Sequence, residues 1–132
     1  MTSDARRWGV AAGLAAAALL LAGCGGLSDE EVGRVAAEFA AGDPGERCAL
    51  LAPGTLAALT GEESSSCEEA LEQVPLGSGE VTEVQVWGEE AQAKLRDDTL
   101  FLTRTSSGWR VMAAACRAQG SEKPYDCQVE GA

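Results

Sequence analysis

Between Val81 and Cys116 three short turn signals, Gly88-Glu89-Glu90, Asp97-Asp98 and Ser106-Ser107-Gly108, divide the chain into four runs of alternating side chains. That spacing constrains the fold more than any other feature of the sequence. Short runs with period-two alternation read as strands, and connections this brief can join only antiparallel neighbours. In the first run Val84 and Val86 alternate with Glu83, Gln85 and Trp87; in the second Ala91, Ala93 and Leu95 alternate with Gln92, Lys94 and Arg96. Residues 99–105 and 109–116 supply the third and fourth runs. The expected product is a four-stranded antiparallel meander. Tyr125 to Val129 reads as a short tail strand that a bridge through Cys127 would tie back.

Upstream of this region the period is helical. Val32, Val35, Ala36, Phe39 and Ala40 fall on one face of a helix. Ser28 and Glu31 have the spacing of a capping box, so this helix is expected to start at Ser28, and Gly42-Asp43-Pro44-Gly45 stops it. A second short helix is expected over Glu46 to Leu51, interrupted by Pro53-Gly54, with Thr55 to Leu59 adding a turn before Gly61. The serines at 64–66 cap a third helix over Cys67 to Glu72, and Pro75 to Gly79 reads as a linker. Helices first and an antiparallel sheet second make the fold class α+β.

The first 23 residues have a different character. Arg6-Arg7 is a positively charged lead, and Trp8 to Ala22 is apolar apart from glycine and carries no charge. This stretch falls short of the roughly 20 residues of a comfortable membrane span and has the length of a secretion-signal core. It runs into Leu21-Ala22-Gly23-Cys24, which resembles the bacterial lipobox at all four positions. The resemblance implies that the Cys24 thiol takes a diacylglyceryl group and that cleavage follows before Cys24. The new amino group is then a further site for an acyl chain such as palmitate. The expected organisation is a signal peptide at 1–23, a lipidated N-terminus and short tether at 24–27, and one domain over 28–132. General secretion fits the lead better than twin-arginine export. The expected address is the extracytoplasmic face of the cell membrane, reached through a lipid anchor.

Lipidation at Cys24 turns an odd cysteine count of five into an even remainder: Cys48, Cys67, Cys116 and Cys127. In an oxidising compartment these form two disulfides, with three connectivities open. The local pairing, Cys48 with Cys67 and Cys116 with Cys127, closes loops of about 20 and 12 residues, for roughly 3 kcal/mol each on chain entropy. The chain has no histidine and no Cys-x-x-Cys pair, so no metal is expected. Loss of Asp4, Arg6 and Arg7 takes the net charge from −11 to about −12. Such a surface repels nucleic acid and anionic lipid; it serves solubility, or attracts a basic partner.

The order of elements resembles the NTF2-like fold, a cone of helices packed on a curved antiparallel sheet. The segment from Val32 to Ala41 followed by Arg47-Cys48-Ala49-Leu50-Leu51-Ala52-Pro53 is similar to the openings of small actinobacterial lipoproteins of that type. So is the ending, from Thr99-Leu100-Phe101-Leu102-Thr103 through Gly108-Trp109-Arg110-Val111 to Cys116 and then Pro124-Tyr125-Asp126-Cys127. The resemblance covers most of residues 28–130. It implies two or three helices on a four-stranded sheet, with any guest held between the layers.

NTF2-like enzymes place acid and base residues inside the cone, often an Asp with a His or Tyr. The absence of histidine removes the Ser-His-Asp, Cys-His and His-metal arrangements together. Asp97-Asp98, Glu62-Glu63 and Glu89-Glu90 read as turn and surface carboxylates. Arg96, Arg104 and Arg110 come from successive strands and either converge on an anion or pair with strand-face acids. The candidate pocket lining is Phe39, Val84, Val86, Leu100, Leu102 and Trp109. Trp87 has the opposite parity to Val84 and Val86, and if exposed it suggests a contact surface. The expected function is non-enzymatic binding, without a cofactor, of a small apolar ligand or a protein partner. An interaction module for another envelope protein, or a carboxylate-based enzyme, is the alternative.

Overall fold

A computed structural model describes residues 23–61 and 66–131. The expected signal peptide, apart from Gly23, lies outside the described residues, and so do Glu62-Glu63 and Ser64-Ser65. Four helices come first: α1 (Gly23–Ala41), α2 (Pro44–Ala49), α3 (Pro53–Thr60) and α4 (Cys67–Glu72). Five strands follow: β1 (Val81–Trp87), β2 (Glu90–Leu95), β3 (Thr99–Thr105), β4 (Gly108–Arg117) and β5 (Asp126–Glu130). The strands form one open antiparallel sheet in sequence order.

The sheet has five strands where four were expected. The tail joins as β5 because Ala114 opposes Val129, both fully buried, and because Cys116 opposes Cys127 in register. The helix count also exceeds the expected two or three. Pro53 does not interrupt a helix; it opens α3 at a position where a proline lacks no needed N–H.

The start of α1 differs from expectation as well. The helix begins at Gly23, so the expected tether at 24–27 is helical. Ser28 does not act as a cap. It sits inside the helix and its hydroxyl accepts from Arg104 Nη2 at 3.0 Å, so a strand side chain takes the group that the local pattern reserved for the backbone. The capping box forms instead at α2, where Asp43 Oδ1 accepts from the Glu46 N–H at 2.8 Å and Glu46 Oε2 accepts from the Asp43 N–H at 3.0 Å. Ser66 caps α4 as expected, accepting from the Glu69 N–H.

Helix α1 lies along the strands. Its first turns meet the β3–β4 end, through Ser28 with Arg104, and through Glu31 beside Gly108. Its middle meets Val84 at Gly33, and its last turns flank Ser78 to Val81. Val32, Val35, Ala36 and Phe39 are buried against Leu100, Leu102, Trp109 and Val111 in one hydrophobic cluster. The loop between α2 and α3 covers the edge of β4 that β5 leaves open. There Val111 donates to Leu50 O, the Ala52 N–H donates to Val111 O, and the buried Thr55 hydroxyl donates to Met112 O. An unpaired strand edge is thereby closed.

Both disulfides have the local connectivity. Cys48–Cys67 joins α2 to α4, and Cys116–Cys127 crosses between β4 and β5.

Candidate functional site

The six residues expected to line a pocket do come together on the helix side of the sheet. Phe39, Leu100, Leu102 and Trp109 are fully buried in the common cluster, with Val84 and Val86 half-buried at its rim. They belong to, or pack against, the same core cluster as Val32, Val35 and Ala36 of α1. Of the six, only Trp109 lines a groove described below.

The carboxylates at 97–98 are bound into the framework. Asp98 Oδ1 accepts from the N–H groups of Thr99 (2.7 Å) and Cys116 (3.0 Å), and Oδ2 from Ala115 (3.0 Å) and Gly77 (3.3 Å). Ala115 has φ of 53°, a left-handed conformation that costs an L-residue roughly 1–2 kcal/mol, and Asp98 holds it there. Asp97 accepts from the Ser78 and Gly79 N–H groups at 3.0 and 2.8 Å. Those two donors hold its carboxyl below the ordinary value of 3.8. The linker approaches so closely that a Cβ at Gly77 would overlap the Asp98 side chain, and one at Gly79 would overlap Asp97 and Arg96. Four N–H groups occupy the acceptor positions of Asp98, whereas Asp97 takes two and keeps its remaining positions open to solvent. Arg47 completes this end by donating to Ala40 O and Gly77 O, with its guanidinium 5.5 Å from the Phe39 ring centroid.

The three strand arginines do not converge. Arg96 pairs with Glu80 at the sheet margin. Arg104 opposes Trp109 and Arg110 opposes Thr103, which puts the two arginines on opposite faces of the sheet. Arg104 stacks 5.0 Å from the Trp109 ring centroid, and Arg110 donates to Trp109 O. Among the described residues no cluster of three or more potential metal ligands occurs.

Two grooves open on the surface of the described residues. A groove of about 490 Å³ between the end of α1 and α2 is lined by Glu38, Ala41, Gly42, Glu46, Ala49 and Leu50. Another, of about 390 Å³, lies at the start of α1 between Leu27, Ser28, Glu31, Arg104 and Trp109. Leu27, the last residue of the expected tether, lines this groove although the sequence pattern gives it no such place. Its three-residue spacing from Cys24, one helical turn, is the signal that would have found it. Trp87, on the outer face of the sheet, is 56% exposed.

Comparison with family models, curated proteins and solved structures found no match to this chain.

Proposed function

We propose that the chain is a lipid-anchored protein of the bacterial cell envelope, held on the extracytoplasmic face of the membrane through Cys24. Its domain binds a protein partner or a small apolar ligand without catalysis. The observation that carries this reading is the disposition of the cysteines. Four of the five are paired, and the one left over is Cys24, which follows Leu21-Ala22-Gly23 and a charged and apolar lead. Disulfides fit export to an oxidising space, and a single cysteine in that sequence context fits lipidation. The non-catalytic reading is supported by the engagement of Asp97 and Asp98 with backbone donors and by the packing of the interior. The NTF2-like cone belongs to the same proposal, because an open antiparallel sheet with its helices on one face is compatible with it. With the inward-facing side chains engaged in the core, the contact surface lies outward, at the apolar groove between α1 and α2 or at the end that carries Trp87.

The test is expression in a host that processes lipoproteins, followed by mass spectrometry of the membrane fraction. The mature N-terminal peptide is expected to begin at Cys24 and to carry acyl groups, while Cys24→Ala accumulates as full-length precursor. A mature chain that begins elsewhere and carries no lipid overturns the anchoring.

A further inference from the structure

Cys24 lies in the first turn of α1, without an unstructured spacer before the domain. Extended, the three steps from Cys24 to Leu27 would span up to about 11 Å; in a helix they cover only about 4.5 Å along the axis. A polar headgroup layer is roughly 5–8 Å deep, so whatever surrounds Cys24 also surrounds Leu27. Leu27 follows Cys24 by three residues along α1 and is 71% exposed.

The strands extend this end into a platform. The β3–β4 turn meets α1 through Arg104 and Gly108, and the β1–β2 turn is held beside it by the Arg104 N–H donating to Glu89 O at 2.8 Å. Trp87 ends β1 at this margin and shares a cross-strand row with Glu90, Thr103 and Arg110. At strand spacing that row is about 14 Å wide. Because α1 runs along the strands, its N-terminus and both turns face the same way. Among the described residues three large apolar side chains are exposed, Leu27, Leu56 and Trp87, and two of them are at the end that carries Cys24.

We infer that this end of the domain docks on the bilayer interface, with Leu27 and Trp87 seated among the lipid headgroups; the inference rests on the anchoring proposed at Cys24. Trp is suited to that layer, since its ring is apolar and its N–H finds polar partners there. Arg104 and Arg110 lie within reach of phosphates. Asp29, Glu30, Glu89 and Glu90 are exposed at the same end, so apolar contact and the covalent anchor hold the domain down and net charge does not. The domain is then presented upright, with α2, α3 and the groove beside Ala41 turned toward the periphery, where a partner can reach them.

The test uses the mature lipidated protein, its acylation confirmed by mass, in phosphatidylcholine vesicles containing spin-labelled lipid with the label near the headgroup. Trp8 leaves with the signal, so Trp87 and the buried Trp109 are the remaining fluorophores. The expected result is loss of Trp87 emission to the shallow label and protection of Trp87 from aqueous acrylamide. The loss of emission to the shallow label disappears in Trp87→Phe, where only the buried Trp109 emits, and weakens in Leu27→Ser. A lipidated chain whose Trp87 stays open to acrylamide and untouched by the label overturns the docking while sparing the anchor. A chain that carries no lipid overturns the anchoring and the docking together.

Discussion

The two ends of the sheet treat polar and apolar groups in opposite ways. At the end formed by the β2–β3 turn, the linker at 75–79 and the β4–β5 bridge, six backbone N–H groups converge on two carboxylates, and Cys116 is both a donor to Asp98 and half of a disulfide. At the other end Leu27 and Trp87 stand in the open. The acids of the β2–β3 turn are bound into the framework, whereas the exposed apolar pair is where a contact surface is available. Unsatisfied demand marks a surface for binding; saturated demand marks architecture.

The strongest way to break this contrast is to dismantle the saturated end through its cross-links. Replacing Cys116 and Cys127 together by alanine removes about 3 kcal/mol of chain-entropy stabilisation on the loop estimate, and the same change at Cys48 and Cys67 removes a similar amount. Each double variant is expected to unfold at clearly lower urea concentration than wild type. The four-alanine variant is expected to be largely unfolded at growth temperature, because so small a domain has only about 5–15 kcal/mol in total. Urea titration followed by circular dichroism measures all three. Unchanged midpoints would show that the bridges follow the fold and do not hold it.

A sharper cut separates the two ends by single residues. Asp98→Ala leaves four backbone donors without their acceptor. The loss of one partner from a buried donor costs about 1–3 kcal/mol, and some of these donors find water, so a total of roughly 3 kcal/mol is expected. Trp87→Ser is expected to change stability by no more than about 0.5 kcal/mol, as at surface positions generally. If Trp87→Ser proves the more costly of the two, the assignment of architecture and contact surface to the two ends is reversed.

Much of this arrangement was legible in the sequence, and the rest was hidden for a definite reason. The meander could be read because period-two alternation and short turns are local, and the bridges because the nearer cysteines are also neighbours in space. Asp97-Asp98 was legible as a turn, but its partners Gly77, Ser78 and Gly79 precede it by 18 to 21 residues, and Ala115 and Cys116 follow Asp98 by 17 and 18. Only the register of the sheet brings them together. Gly77 and Gly79 read as linker composition, yet what the site demands there is the absence of a Cβ. The start of α1 is not legible at Ser28, because the capping signal is local and the arginine that claims the hydroxyl comes from β3. Trp87 was placed on the correct face by parity, although parity alone does not say whether a side chain is covered.

The smallest expected effect tests how the saturated end responds to acid. Asp97 accepts N–H groups from Ser78 and Gly79, and these favour its charged form and lower its pKa in the folded chain relative to the ordinary 3.8. The unfolded chain therefore binds the proton more tightly than the folded one. By linkage, the contribution to stability is complete above the ordinary carboxylate value, declines as pH falls toward the lowered value, and is absent below it. Asp97→Asn has no charge to titrate, so the variant is expected to be less stable than wild type at neutral pH by a small margin, since the side chain is exposed to water and its attractions are screened. The margin is expected to close as the solution is acidified through that window. Paired urea titrations of wild type and variant at neutral pH and in strong acid measure it. A gap that keeps its size in acid would mean that the amide geometry, and not the charge of Asp97, accounts for the difference, and the turn would then be held by shape alone.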